Sequence, residues 1–218
     1  MIEILSGREN MQKDLENFLK VERGEQYLLV RFYRWQEPTV SIGLLQRERK
    51  MPLPVVRRPT GGGELLHGGD VSFSVASRRD LWGSNPKEIY ERLMVLLQES
   101  LNEVGISLDM THYSPERMER LCFFYPSWGE LTADGKKVVA CAMRIGRRAF
   151  LLQGSLLIDM EYSLAHRVFG VGEEILRERI TTFRELGVEE DRLLEGLRRF
   201  MTNLTQIIKV VYNFRDHG

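Results

Sequence analysis

Three consecutive glycines between two arginines and a histidine are the first feature of this chain that could do chemistry. The segment reads Arg57-Arg58-Pro59-Thr60-Gly61-Gly62-Gly63-Glu64-Leu65-Leu66-His67. Successive glycines cost backbone entropy that a simple connection need not spend, and they let a ligand approach exposed main-chain N–H groups closely. Nearby arginines suit an anionic or carbonyl-bearing ligand. A flexible loop beside solvated arginines is an equally open interpretation, and an isolated His67 is more often packed or solvated than functional.

A lysine stands at the start of a run of small apolar residues, in the segment Asp134-Gly135-Lys136-Lys137-Val138-Val139-Ala140-Cys141-Ala142. If this run is a buried strand, Lys137 rather than Lys136 points to the same side as Val139 and Cys141. Its ammonium group could then reach a ligand while its stem packs. The alternative is a turn lysine in solvent, which is the commoner fate of lysine.

Aromatic residues surround a cysteine in the segment Leu121-Cys122-Phe123-Phe124-Tyr125-Pro126-Ser127-Trp128-Gly129-Glu130-Leu131. The Cys122 thiol could be a nucleophile if a nearby cation lowers its pKa. A buried, inert cysteine that acts as a small hydrophobic residue is the alternative.

Hydrophobic periodicity places these segments on a mixture of helices and strands. It predicts helices over residues 9–21, from about 86 to 104, near 164 and over about 193–211, and strands over 27–35, 39–44, 71–76, 137–145 and 149–158. Strand 71–76 alternates apolar residues with serines and is predicted to be half-buried. Because strands and helices do not alternate strictly, we expect an α+β fold with a mixed, largely antiparallel sheet.

The composition excludes several classes of protein. The chain has 218 residues, with 31 Lys+Arg against 31 Asp+Glu, so no overall basic field indicates a nucleic-acid partner. Its 43% hydrophobic content is ordinary for a globular domain. Two cysteines do not make a disulfide scaffold or an all-cysteine metal site. With no signal peptide or apolar run long enough to span a membrane, we expect a soluble cytoplasmic protein with a single domain over residues 1–218.

Together, the three segments resemble the lipoate-protein ligase and octanoyltransferase family. Its first hallmark, Arg-Arg-x-Ser/Thr-Gly-Gly-Gly/Arg-x-x-x-His, matches from Arg57 to His67, and its second, Gly-x-Lys-Ile/Val-x-Gly-Ser-Ala, matches in part from Gly135 to Ala142. A branch with a catalytic cysteine carries Ala-Cys-Phe…Pro-Ser-Trp-Tyr-Glu-Leu, which is similar to the segment around Cys122. Weaker agreement extends to Gly154-Ser155, so the resemblance covers roughly residues 8–160.

The resemblance implies a fold shared with biotin and lipoate protein ligases, a mixed α/β catalytic core at about 8–160 and a helical C-terminal segment at about 161–212. It implies octanoyl transfer from octanoyl-acyl carrier protein to a lysine of a lipoyl domain, such as glycine cleavage H protein. Cys122 and Lys137 would be catalytic, no metal site is expected, and a cofactor (ATP with Mg) is expected only in a ligase. The implied substrate-binding residues are Arg58, Gly61, Gly62, Gly63, His67 and Gly154.

Other functions stay open at this point. An ATP-dependent lipoate-protein ligase core, an amidotransferase between lipoyl domains and a binding module without turnover all fit the same motifs. Three departures from the family pattern bear on substrate choice: Cys141 stands at a serine position, Gln153 at a position that is often histidine, and Glu64 at a position that is commonly small or apolar.

Overall fold

The structure is a computed structural model that describes residues 2–83, 85–112 and 128–215, with side chains described as far as residue 210. In these ranges the helices are α1 (Gly7–Glu22), α2 (Pro86–Asn102), α3 (Tyr162–Phe169), α4 (Glu173–Arg179) and α5 (Glu190–Arg215). The strands are β1 (Glu3–Leu5), β2 (Leu28–Trp35), β3 (Thr39–Ile42), β4 (Val55–Arg57), β5 (Leu65–His67), β6 (Asp70–Arg78), β7 (Asp109–Met110), β8 (Leu131–Ala133), β9 (Lys136–Lys137), β10 (Val139–Ile145) and β11 (Ala149–Leu157).

The central sheet has the strand order β1-β2-β6-β11-β10. Only the β1–β2 pair is parallel, and the other neighbours are antiparallel. Two smaller sheets have the orders β4-β3-β5 and β7-β8-β9. This arrangement confirms the predicted α+β fold with a mixed, largely antiparallel sheet.

Strand β6 lies at the centre of the sheet, and both of its faces are buried. Val71, Phe73 and Val75 belong to the core shared with α2 and α5, whereas Ala76 packs with Phe18 of α1. The prediction of a half-buried strand was therefore wrong. The serine face of β6 lies under α1, where buried carboxylates accept hydrogen bonds from the hydroxyls.

Local capping signals account for two helix starts. Ser6 and Glu9 form a capping box, with Glu9 N donating to Ser6 Oγ at 3.3 Å and Ser6 N donating to Glu9 Oε2 at 3.0 Å. Asn85 caps α2 by accepting from Lys87 N at 2.9 Å, ahead of a proline at the first helical position.

The hairpin that presents Lys137 has its turn at Asp134 and Gly135. Asp134 and Gly135 have φ angles of 49° and 73°, which are typical of a tight two-residue turn between antiparallel strands. Long helix α5 packs on α2, while α4 is an element that the periodicity did not predict. No helix in the described ranges combines the length and the apolar character that crossing a membrane requires. The division into a core and a C-terminal segment stays a prediction.

Phe200 tests how much the packing of α5 on the sheet stabilises the fold. Its ring lies edge-on to Phe73 with centroids 5.7 Å apart, and it is fully buried. We expect Phe200→Ala to lower the free energy of unfolding by about 3–5 kcal/mol in urea denaturation. Met201→Ala, at a neighbouring side chain that is 40% exposed, should change it by about 0.5 kcal/mol or less. Similar losses for both variants would contradict this account.

Candidate active site

A narrow cavity lies between the middle of the central sheet and the β4-β3-β5 sheet. It encloses about 380 Å³ of empty space, counted out to its open mouth. Its lining combines apolar side chains with a few buried polar groups. The lining residues are Met11, Tyr33, Trp35, Ser41, Arg58, Leu65, His67, Ser72, Ala140, Cys141, Ala142, Gln153, Gly154 and Ser155. Three of the predicted site residues, Arg58, His67 and Gly154, are therefore part of one cavity.

Arg58 of the cavity lining is hydrogen-bonded to the glycine segment, although Gly61, Gly62 and Gly63 are not themselves among the lining residues. Its guanidinium Nη2 donates to the carbonyl oxygens of Gly61 and Gly63, each at 2.7 Å, while Nη1 donates to Ser41 Oγ at 3.0 Å. The side chain is only 6% exposed. The Arg58 guanidinium therefore donates largely to backbone carbonyl oxygens of the protein itself, and these hydrogen bonds fix the path of residues 61–63.

Arg57 makes different contacts from Arg58, although the two arginines are adjacent in sequence. Its Nη1 donates to the carbonyl oxygens of Gly43, Leu44 and Gln46 at 3.1, 3.2 and 2.6 Å. The structure therefore separates the two arginines, because one lines the cavity and the other stabilises the turn at residues 43–46.

A chain of buried polar contacts runs inward from Arg58. His67 Nε2 lies 2.8 Å from Ser41 Oγ, and His67 Nδ1 lies 2.9 Å from Asp70 Oδ2. The Trp35 ring stacks on the imidazole with centroids 3.9 Å apart. This order of serine, histidine and aspartate resembles a hydrolase triad, but Ser41 is fully buried and its oxygen accepts from Arg58. Both nitrogens of His67 are occupied, so the arrangement positions groups rather than presenting a free base.

Asp70 is an ionised carboxylate at the end of this chain. Burial alone would raise its pKa, but the charge and hydrogen bond of His67, together with the hydroxyls of Ser155 and Ser72, outweigh burial and lower the pKa to about 2. The two hydroxyls donate to Oδ2 at 2.6 and 2.7 Å. The motif analysis missed Asp70, although its place three residues after His67 was the available signal.

A second buried carboxylate, Asp14, ties α1 to the glycine segment through Gln153. Gln153 Nε2 donates to Asp14 Oδ2 at 2.6 Å, and Gln153 Oε1 accepts from Thr60 Oγ1 at 2.7 Å. Asp14 also bonds Arg31 at 2.5 Å and accepts from Ser74 Oγ at 2.6 Å. Burial raises the pKa of this carboxyl in spite of these donors. Gln153, which departs from the family pattern, therefore uses both its amide oxygen and its amide nitrogen to connect Thr60 with Asp14.

Lys137 is buried beside a glutamate. It is 1% exposed, and its Nζ lies 2.7 Å from Oε2 of Glu130, which is itself 3% exposed. Glu130 Oε1 accepts from the backbone N of Cys141 at 3.4 Å. Lys136 is the more exposed of the two neighbouring lysines, in line with the predicted register. Lys137 is not among the residues that line the cavity, and Glu130 connects it to Cys141, which is one of the lining residues.

The Cys141 thiol is not activated. Burial, then the charge of Glu130, raise its pKa well above the ordinary value against the opposing charge of Lys137. This environment is typical of a structural cysteine. The predicted nucleophile, Cys122, lies outside the described residues, so its placement stays a prediction.

Two glycines of the site are required for different geometric reasons. Gly62 has a φ angle of 89°, in the region that favours glycine. A Cβ on Gly154 would lie 2.1 Å from the Phe73 ring, because the two residues are direct partners across β11 and β6. Around Gly61, by contrast, nothing lies within 4 Å of where a Cβ would stand.

Exposed basic residues lie in two separate places. Arg47 and Lys50 are exposed near the glycine segment, whereas Arg147 and Arg148 line a groove with Arg78 at the opposite end of β6. Among the described residues, no group of three or more histidine, cysteine, aspartate or glutamate side chains is arranged to hold a metal ion.

Comparison with known proteins identifies the family. Residues 6–213 match the family model of the lipoyl protein ligase A/B catalytic domain. The octanoyltransferase LipM of Kyrpidia tusciae is 32% identical over 199 residues, which cover 82% of this chain and 72% of that protein. LipM of Brevibacillus brevis is 31% identical over 179 residues, which cover 73% of this chain and 65% of that protein.

Solved structures show the same fold. A lipoate-protein ligase A bound with ATP superposes with a TM-score of 0.72 at 22% identity, covering 94% of this chain and 84% of that one. A bipartite lipoate protein ligase from Thermoplasma acidophilum, studied with its E2 lipoyl domain, gives a TM-score of 0.67 at 22% identity, covering 94% and 82%. These matches confirm the fold and the family resemblance inferred from the motifs.

The conformation of Gly62 gives a test of the glycine segment. Gly62→Ala must hold a Cβ at a φ of 89°, so we expect a loss of about 1–3 kcal/mol in the free energy of unfolding. Gly61→Ala has open space and should stay within about 0.5 kcal/mol of the parent. Urea denaturation of both variants measures the difference, and equal stabilities would refute the strain argument.

The depressed pKa of Asp70 predicts a pH dependence of stability. Because the folded-state value of about 2 lies below the ordinary 3.8, ionised Asp70 stabilises the fold above pH 4, and this contribution is lost as the pH falls toward 2. The difference between these two pKa values corresponds to about 2.5 kcal/mol in the free energy of unfolding. The stability difference between the parent and Asp70→Asn should therefore narrow by about that amount between pH 5 and pH 2. Asp109→Asn, at an exposed carboxyl, is the control, and a constant difference for Asp70→Asn would contradict the assignment.

The Lys137–Glu130 pair predicts strong coupling. Glu130→Gln removes the carboxylate that neutralises a buried ammonium group, so we expect a loss of about 3–5 kcal/mol. Adding Lys137→Met to Glu130→Gln should restore most of that loss, because no charge is then left uncompensated. A double-mutant cycle in urea measures the coupling, and additive losses would show that the two side chains act independently.

Proposed function

Since this chain belongs to the lipoyl protein ligase A/B catalytic-domain family, we propose that it transfers an octanoyl group from octanoyl-acyl carrier protein to a lysine of a lipoyl domain, through a thioester on Cys122. The enzyme class is confirmed by the named octanoyltransferases that it resembles. The donor, the acceptor and the cysteine intermediate are the parts that are proposed.

One observation carries the proposal. The octanoyltransferase relative matches over 82% of the chain, and the sequence around Cys122 is similar to the cysteine segment of the transferase branch. The match to ligases, at 22% identity, supports the shared fold alone.

The proposed reaction has two acyl transfers. In the first, the Cys122 thiol gives up its proton and its thiolate attacks the carbonyl carbon of the donor thioester; a new C–S bond forms, the old one breaks, and the carrier takes that proton and leaves as a thiol. In the second, a neutral lysine amine attacks the enzyme thioester; a C–N bond forms, the C–S bond to Cys122 breaks, and a proton of the amine passes to the released Cys122 sulfur. This double displacement separates the encounters with two protein substrates.

The described residues support particular roles. We assign the ammonium of Lys137 to stabilising the oxyanion or the Cys122 thiolate, with Glu130 holding its position. The apolar side chains of the cavity lining, among them Met11 and Leu65, suit contact with an acyl chain, and Arg58 of the lining is hydrogen-bonded to the glycine segment. In this assignment His67 and Gly154 shape the cavity rather than react.

The proposal needs no cofactor, because the acyl group arrives already activated as a thioester. A ligase that uses free acid would instead need ATP with Mg to make an acyl-adenylate. This difference makes the two enzyme classes separable by substrate requirement.

One assay decides between the open functions. The protein is incubated with apo-lipoyl domain (such as apo-H protein) and one of three donors: octanoyl-carrier, free octanoate with ATP, or a second lipoyl domain that already carries octanoate. The mass of the apo-lipoyl domain is then read. We expect carrier-dependent octanoylation without ATP. Modification only with free octanoate and ATP would establish a ligase, transfer only from an octanoylated lipoyl domain would establish an amidotransferase, and no product in any arm would leave a binding module.

The acyl-enzyme is the most direct prediction. The protein mixed with octanoyl-carrier alone should gain the mass of one octanoyl group, in a form that hydroxylamine removes and that is absent in Cys122→Ser. Cys141→Ser is the matched control and should still form the adduct, because the Cys141 thiol stays protonated. An adduct on Cys141, or normal transfer by Cys122→Ser, would exclude Cys122 as the nucleophile.

A further inference from the structure

Hydrogen bonds to main-chain atoms stabilise the turn at residues 43–46. Arg57 Nη1 donates to three of its carbonyl oxygens, and Gly43 N donates to Gln46 Oε1 at 2.9 Å. Leu44 N also donates to Thr60 O at 2.8 Å. None of these bonds uses a leucine side chain, so the turn is fixed independently of the two leucines that it carries.

Those leucines project into solvent. Leu45 is 93% exposed and Leu44 is 41% exposed. A single exposed leucine is common on protein surfaces. Here, however, two adjacent leucines lie on a turn that hydrogen bonds stabilise. Because the backbone is already ordered, a partner that binds the leucines has less conformational entropy to remove.

The turn stands at the edge of the candidate active site. A Cβ on Gly43 would lie 2.1 Å from the carbonyl oxygen of Gly62, so the turn and the glycine segment are in direct contact. Arg58, which lines the cavity, donates its backbone N to Ile42 O at 2.9 Å, immediately before the turn. A protein that contacts Leu45 is therefore close to the glycine segment and to Arg58, which lines the cavity.

The charge beside the leucines is positive. Arg47 and Lys50 are exposed, and neither side chain has a hydrogen-bond or ion-pair partner in the described part of the chain. Arg49 is neutralised by Glu64, with Nη2 and Oε2 2.8 Å apart, which leaves Glu48 as the opposing charge in the segment. An apolar tip with basic neighbours complements an apolar depression bordered by carboxylates.

We propose that Leu44 and Leu45 are the docking contact for the acyl-acceptor domain, a protein domain with an apolar depression and acidic rim beside its acceptor lysine. This inference rests on the proposed function. It favours the acceptor over the carrier because a lysine has only a four-carbon stem, so its domain must come directly against the site. A carrier protein whose acyl-bearing thiol is on a long flexible arm need not lie directly against the site.

The kinetic test separates docking from chemistry. Leu45→Ser should raise the KM for apo-lipoyl domain about tenfold with little change in kcat, and it should leave the rate of acyl-enzyme formation from octanoyl-carrier unchanged. Leu45→Met should behave like the parent. Ile4→Ser, at another exposed apolar side chain (64%), is the matched control for surface substitution.

A binding measurement removes the dependence on turnover. Cys122→Ser should bind apo-lipoyl domain about tenfold more tightly than Cys122→Ser/Leu45→Ser, by titration calorimetry. Arg47→Gln with Lys50→Gln should weaken binding less and reduce its dependence on salt. Equal binding with and without Leu45, or an effect of Leu45→Ser on the carrier step alone, would overturn the docking inference. Failure of the parent to form an acyl-enzyme would instead overturn the proposed function.

Discussion

The buried guanidinium of Arg58 is the interaction on which the site depends. A charge this far from solvent must have its N–H groups satisfied, and the carbonyl oxygens of Gly61 and Gly63 do so. The same group contacts Ser41, which leads through His67 to the ionised Asp70. The positive charge that orders the glycine segment is thereby connected to a buried negative charge on the central strand of the sheet.

Strand β6 makes that connection possible. Its apolar face closes the core with α2 and α5, while the opposite face places Ser72 and Ser74 on two different carboxylates, Asp70 and Asp14. Asp14 comes from α1 and is tied to the glycine segment through Gln153 and Thr60. The segment is therefore anchored from both sides of the cavity, which limits the movement of its backbone without bulky side chains in the loop itself.

The sequence predicts the parts of this arrangement that have local signals. The alternation of apolar residues along β6 is a property of a short segment, and it gave the correct element. Lys137 was predicted on the buried side of its strand from the period of two alone. The partners were not predictable in this way, because Glu130 reaches Lys137, and Asp14 reaches Gln153, only after distant segments pack together. The same limit explains the error at Ser72 and Ser74, since serines that alternate with valines look solvent-facing until their acceptors are known.

Gln153 has a consequence for how the glycine segment responds to acidity. Its amide must keep the oxygen toward Thr60 and the nitrogen toward Asp14, because a flip would place an acceptor against a carboxylate. An imidazole at this position can gain a proton near neutral pH, and its acceptor nitrogen then becomes a donor. A carboxamide has no such transition. The hydrogen bonds of Gln153 between α1 and the glycine segment should therefore keep the same donors and acceptors across the physiological pH range. A histidine introduced at position 153 would make these hydrogen bonds sensitive to pH.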